Sequence, residues 1–223
     1  MELTMFERLL QLPLFQGLTF QELSDLMAQI RLNFVRYKAG EEIVIQGEPC
    51  QKLLFIIHGD ISTTYNNTEK HFRLTETLPP IGVLEPYNLF GMYQKYSRTY
   101  QFDTNGSILS IDKKEIVNPL MQSEIVKINM LNLLCNRYQQ TAKKLCEMPD
   151  ETVQNKIAKF IWSYSSVPKG KKEVYIKMTD LANLIHETRL KVSKALKEMQ
   201  EQGMVTLQRG GIIISDIQDI KLS

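Results

Sequence analysis

The sequence predicts an α+β protein. Two short helices lead into a roll of short β-strands, a double-stranded jelly roll; a long helix follows, then a helix–turn–helix closed by a β-hairpin. Three observations carry that prediction. Residues from about Asn33 to Asp112 form short β-branched and aromatic segments with glycines at the joints. Apolar residues then recur in alternating steps of three and four from Met121 to Leu145. Finally, two short helical patterns flank a break at His186-Glu187, and two strand patterns flank Arg209-Gly210-Gly211.

The first 30 residues read as amphipathic helices. Leu9, Leu10, Leu12, Phe15, Leu18, Leu23, Leu26, Met27 and Ile30 supply the apolar side, and Pro13 and Gly17 break the pattern. Thr19 with Glu22 is a capping box, in which hydroxyl and carboxylate each satisfy an orphan amide. The β-region includes EEIVIQ, KLLFIIHGD, ISTTYN and GSILSID, with Gly40, Gly47, Gly59, Gly82, Gly91 and Gly106 between segments. Many short strands with glycine turns point to a barrel or a double-sheet jelly roll.

A helix is expected from about Asn118 to Glu147. Its row of Met121, Glu124, Ile128, Leu131, Cys135, Tyr138, Ala142 and Leu145 is a heptad series in which Glu124 alone is polar. A second stripe of Val126, Met130, Leu133 and Leu134 widens the apolar face in the first half. One stripe is expected to cover the β-roll and the other, from Ile128 to Leu145, to meet a second copy of the chain. Met148-Pro149-Asp150 should end this helix, with Asp150 capping the next.

The stretch from Met178 to Asp216 is the most informative. Thr179 is expected to cap a short helix carrying Leu181, Leu184 and Ile185, with Ala182 small where a second helix crosses. Thr188 should cap that second helix, which carries Leu190, Val192, Ala195, Leu196 and Met199 and ends at Gly203. Strands at Val205–Gln208 and Ile212–Ser215 complete the pattern.

Composition excludes several classes. The chain has 223 residues, 43% hydrophobic and 23% charged, an ordinary globular mixture. No apolar run reaches about 18 residues, so no membrane span is expected. Glu2, Glu7 and Arg8 interrupt what a signal peptide would need as its apolar core, so the chain is expected in the cytoplasm. Cys50, Cys135 and Cys146 include no C-x-x-C pair, which argues against a structural zinc or disulfide framework. His58, His71 and His186 are scattered, so neither a metal-dependent jelly-roll enzyme nor a haem sensor fits. From Asp150 onward there are 12 Lys/Arg against 9 Asp/Glu, a net +3, whereas the rest of the chain is at −1. The sign suits a nucleic-acid contact in the C-terminal third.

The C-terminal stretch resembles the winged helix-turn-helix of bacterial transcription regulators. The chain as a whole resembles the cAMP receptor protein and fumarate-nitrate regulator (Crp/Fnr) family. AGEEIVIQGEPCQKLLFIIHGDIS is similar to that family's cyclic-nucleotide-domain opening, and EPYNLFGM to its phosphate-binding segment. The resemblance implies an effector domain over 1–117, a dimerisation helix over 118–148 and a DNA-binding domain over 149–223. It implies a homodimeric regulator, not an enzyme, reading a palindromic operator with a recognition helix at about 188–199. Its expected partners are double-stranded DNA, itself and RNA polymerase, with no membrane. Thr179, Thr188, Arg189, Leu190, Lys191, Lys194, Lys197 and Arg209 are the DNA-binding candidates. Arg189 is expected to face the groove and pair with guanine O6 and N7, while Thr188 holds a phosphate.

Departures from the family pattern limit the effector assignment. Cyclic-AMP binders follow Phe-Gly with Glu, but here Phe90-Gly91 precedes Met92, which can neither accept the ribose bond well nor replace the charge. Arg98-Thr99 resembles the phosphate-gripping pair, after a shortened segment, and Thr141 falls near the adenine-contacting position. Three readings stay open for this pocket: a different small effector, anions among the candidates; filling by side chains; or a nucleotide, with cAMP disfavoured. No metal is expected, and no cofactor is assigned beyond an unidentified small effector, with cAMP doubtful. In the recognition helix, Arg189-Leu190 replaces the usual Arg-Glu, so the operator should differ. His186 stands where the motif often has glycine, and a positive φ there is the test of the alignment. The competing reading is a winged-helix protein-interaction or ligand-binding module, which an exposed Leu190 would favour.

Overall fold

The computed structural model describes residues 5–79, 82–146, 152–167 and 169–216. The chain divides into two compact units, Met1–Ile61 with Pro79–Gln140, and Ser62–Leu78 with Thr141–Ser223.

In the first unit, helices α1 (Met5–Gln11) and α2 (Phe20–Met27) precede the roll. The capping box at α2 forms as expected: Thr19 N donates to Glu22 Oε2 at 2.8 Å and Glu22 N to Thr19 Oγ1 at 3.3 Å. Strands β1 (Leu32–Tyr37), β2 (Glu42–Val44) and β3 (Lys52–His58) follow, and the chain later returns as β6 (Gly82–Leu84), β7 (Thr99–Phe102) and β8 (Gly106–Asp112). One sheet has the order β1-β8-β3-β6, all antiparallel, and β2 pairs with β7. Leu53, Phe55, Leu109 and Ile111 are fully buried on this sheet. Alternation fails in the central strand β8, where Ile108–Ile111 are all buried, because both of its faces are covered. Gly106 has no room for a side chain: a Cβ there would meet the Phe102 ring at 2.0 Å.

Helix α3 (Lys113–Val117) and a 3₁₀ turn (Leu120–Gln122) precede α4 (Glu124–Cys146). The expected start at Asn118 is therefore corrected to Glu124. Pro119 has no N–H to donate, and Ser123 is extended with φ −77° and ψ 124°. Met121 thus falls outside the heptad row. Val126 and Met130 are buried, and Asn129 Nδ2 donates to the carbonyls of Leu14 (3.0 Å) and Gln16 (2.8 Å), fixing α4 on the N-terminal segment. The other row, Ile128, Leu131, Cys135 and Tyr138, is exposed, with Ala142 half-buried. The side chain of Leu145 lies outside the described residues, as do Met148-Pro149-Asp150. Helix α5 (Val153–Tyr164) is capped by Thr152 rather than Asp150, its Oγ1 accepting Asn155 N at 3.1 Å.

In the second unit, the hairpin β4 (Ile61–Asn67) and β5 (Phe72–Leu78) joins a sheet with β9 (Lys172–Ile176), β10 (Thr206–Gln208) and β11 (Gly211–Ile214), in the order β10-β11-β9-β5-β4. β5 pairs antiparallel with β9 from Phe72↔Ile176 to Glu76↔Lys172. The two wing strands fall within a residue of their expected positions. The sheet packs on α5, α6 (Met178–Leu184) and α7 (Arg189–Glu201) around Ile157, Ile161, Leu181, Leu196, Met199 and Ile214. Phe72 meets Phe160 and Tyr164 edge to face at 5.1 and 4.7 Å between centroids. Lys172 and Glu76, both fully buried, pair at 3.4 Å, and Lys172 Nζ also donates to the carbonyls of Lys169 and Gly170.

Candidate nucleic-acid interface

The candidate interface is built by α6, the turn after it, α7 and the wing. Met178 is the first residue of α6, and the N-cap is Lys177, extended with φ −72° and ψ 142°. Thr179 is therefore not the cap. It is exposed in the first turn, and its hydroxyl reaches Asp180 Oδ1 at 3.5 Å. The Lys177 carbonyl accepts both Asp180 N and Leu181 N, which starts the helix earlier than expected.

The turn has the expected left-handed residue: His186 has φ 56°. That angle reverses the chain so that Glu187 N donates back to the Ala182 carbonyl at 2.9 Å. The Glu187 carboxylate then takes Lys156 Nζ at 2.6 Å and Lys191 Nζ at 3.2 Å, tying α5, the turn and α7 together. Those two ammonium donors hold its carboxyl below the usual carboxylate range. Thr188 caps α7 as expected, its Oγ1 accepting Lys191 N at 3.3 Å. At the far end Gly203 has φ 73°, its N–H bonds the Gln200 carbonyl and Met204 N bonds Met199, a Schellman ending.

Val192, Ala195, Leu196 and Met199 form the buried stripe of α7. At 100° per residue, Leu190, Lys194 and Lys197 lie opposite it, while Arg189 and Lys191 sit on the two flanks. All five are exposed. Lys194 makes a long contact with Glu198, at 3.8 Å, and Glu198 also accepts Gln154 Nε2 at 2.7 Å. Arg209 is exposed at the tip of the wing, beside Gly210 with φ 75°. The cations thus sit on the solvent side of α7 and at the wing tip.

The effector candidates are less united. Met92 is 91% exposed, Gly91 is exposed with φ 90°, and Phe90 lies under Lys113 Nζ at 4.8 Å. Arg98 is buried, and Thr99 Oγ1 accepts Gln46 N at 3.0 Å. Thr141 is exposed and belongs to the other compact unit. A cavity of about 210 Å³ inside the roll, walled by Val35, Tyr37, Leu54, Tyr96, Ile108 and Ser110 among others, is lined by none of these six residues.

The residue that organises this segment is Glu85, which the sequence reading missed. It is buried, with φ 40°. Its carboxylate accepts Asn88 Nδ2 (2.6 Å), Ser97 N (2.7 Å), Ser97 Oγ (2.7 Å) and the Tyr100 hydroxyl (2.9 Å). Burial first, and the Glu85 charge second, push the Tyr87 and Tyr100 phenols upward. Arg137 of α4 stacks on Tyr87 at 5.1 Å. Nothing local in the sequence marks Glu85, because Ser97 and Tyr100 are 12 and 15 residues away.

Comparison with known proteins agrees with this geometry. Residues 155–221 match the family model described as the Crp-like helix-turn-helix domain. Over 218 residues the chain is 22% identical to the "CRP-like cAMP-activated global transcriptional regulator" of Mycobacterium tuberculosis, covering 95% of this chain and 96% of the relative. The fold is similar to the crystal structure of the Thermus thermophilus catabolite activator protein, with a TM-score of 0.53 and 20% identity over 94% of this chain and 96% of the other. A transcriptional regulator of the CRP/FNR family, also from Thermus thermophilus, aligns at 18% identity over 85% of this chain and 96% of its own, with a TM-score of 0.41.

Proposed function

We propose that this chain is a DNA-binding transcription regulator of the Crp/Fnr family, and that it reads a palindromic operator as a homodimer without cAMP. The family is one of regulators, not enzymes. The observation that carries the reading is α7 itself: capped by Thr188, locked to α5 through Glu187, and with Leu190 and the cations Arg189, Lys191 and Lys194 as the exposed residues of its first two turns. In this reading α7 enters the major groove. Arg189 pairs with guanine, Lys191, Lys194 and Lys197 reach bases or phosphates, Thr188 and Thr179 hold phosphates from helix N-termini, and Arg209 takes the flanking backbone.

The exposed row of α4 supports dimerisation, because Ile128, Leu131 and Tyr138 otherwise stand in water at heptad spacing. In this reading the effector-type domain lies within 1–117, α4 (Glu124–Cys146) is the dimerisation helix within the expected 118–148, and the DNA-binding domain lies within 149–223, its sheet extended by the hairpin of Ser62–Leu78. The protein acts in the cytoplasm, where operator-bound dimers meet RNA polymerase.

Of the three pocket readings, filling by side chains is the one Glu85 supports. Its carboxylate already occupies the donors of Ser97 and Tyr100 on either side of Arg98, and Met92 offers a ribose only a weak thioether acceptor. The relative from Mycobacterium tuberculosis is named cAMP-activated; in this reading the present chain does not share that requirement.

The test is selection of bound sequences from a random DNA pool by the purified protein, at near-physiological salt with no ligand added. Enrichment of a palindrome with half-sites about 34–36 Å apart is expected. Enrichment only after cAMP is added would overturn the ligand-free reading, and a non-palindromic product would overturn the dimer.

A further inference from the structure

We infer that Leu190 is a specificity-determining residue that reads the 5-methyl group of a thymine in each half-site, an inference that rests on α7 being the DNA-reading helix. Leu190 is 81% exposed, and no other large apolar side chain among the described residues of its compact unit is comparably open to solvent. It lies directly opposite the buried stripe of Val192, Ala195, Leu196 and Met199, so the fold has no use for its side chain.

Its surroundings say what covers it. Arg189 and Lys191 flank it, and Lys194 and Lys197 follow on its own face, all exposed. An apolar side chain with a cationic rim of this kind suits a polyanion that also offers an apolar spot. In the major groove that spot is the thymine methyl, the one alkyl group on the base edges there. Leucine can neither donate nor accept, so it discriminates thymine from cytosine by the methyl alone. Leu190 is the second residue of α7, in the first turn, where recognition helices meet base edges.

The experiment compares the wild type with Leu190→Ala on the selected operator. Each thymine is replaced in turn by deoxyuridine, which removes only the methyl group. At one thymine per half-site, deoxyuridine should weaken wild-type binding about four-fold, the equivalent of about 0.8 kcal/mol for one buried carbon. The same replacement should leave Leu190→Ala unaffected, and selection with that variant should lose the thymine preference at that position. Because Leu190 is exposed, the melting temperature of the variant should match the wild type and separate lost contact from lost fold. Specific binding with no thymine at which the two proteins differ overturns this inference and leaves the DNA-reading helix standing. Absence of any sequence enrichment by the wild type overturns the DNA reading, and this inference with it.

Discussion

His186 holds a backbone angle that most residues avoid, and the turn depends on it. With φ 56° the chain reverses sharply and brings Glu187 N onto the Ala182 carbonyl. Histidine tolerates this region better than most residues, but its Cβ still carries a cost that glycine lacks. His186→Gly should therefore leave the fold intact and change stability by less than about 1 kcal/mol, whereas β-branched His186→Val should cost about 1–2 kcal/mol; urea unfolding checks both. Glu187 next to it makes stability pH-dependent. Its carboxyl is held below the usual range, so its contribution is complete above the unfolded carboxylate value of about 4.3. That contribution is lost as pH falls through the lowered folded value. Glu187→Gln should flatten this part of the acid unfolding curve, and an unchanged curve would mean that Lys156 and Lys191 do not hold the turn. Both ends of the turn were open to sequence reasoning. His186 was legible because a helical pattern broke there, and Thr188 because a hydroxyl residue preceded a helical run. Thr179 misled for the same reason: the pattern shows a good cap, while the preceding extended residue decides where the helix begins.

The strands show where sequence pattern stops being informative. KLLFIIHGD, ISTTYN and the two wing strands were legible from β-branched runs and glycines, because period and turn chemistry are local. That β9 joins β5 was not legible: Glu76 and Lys172 are nearly a hundred residues apart, and alternation names a buried face but not a partner. Helix α4 has the same limit at its start, where Pro119 outweighed a heptad row extending back to Met121. The β5–β9 junction makes a firm prediction, because its ion pair is completely buried. Lys172→Met leaves the buried Glu76 carboxylate, which accepts Ser166 N at 2.7 Å, without the Lys172 ammonium. Breaking one side of such a pair costs about 3–5 kcal/mol. Glu76→Gln combined with Lys172→Met removes both charges and keeps an acceptor for Ser166, so much of that loss should return. If the double variant unfolds in urea as early as the single one, the charge on Glu76 is not what destabilises the junction.

At the scale of the whole molecule, the proposed dimer would account for both the exposed row of α4 and a two-fold DNA contact, and the two are testable together. A two-fold interface presents the same patch twice, so each substitution on the seam enters in pairs. Leu131 is 59% exposed in the single chain, and replacing it should cost the monomer little. In a dimer, Leu131→Glu instead places two carboxylates within an apolar seam, which neither can leave without separating the helices. Sedimentation should find the wild type at about twice 25.8 kDa and the variant at the single-chain mass, with similar unfolding per chain. The DNA readout follows from counterion release, since the slope of log affinity against log salt scales with the number of phosphates engaged. Losing one recognition helix should roughly halve that slope and remove the palindrome, while each remaining half-site is still read by Arg189. A variant that stays dimeric would place the interface elsewhere than the Ile128–Tyr138 row. A monomeric variant with an undiminished slope would mean that one chain supplies all the phosphate contacts, and the two-fold reading of the operator would fall.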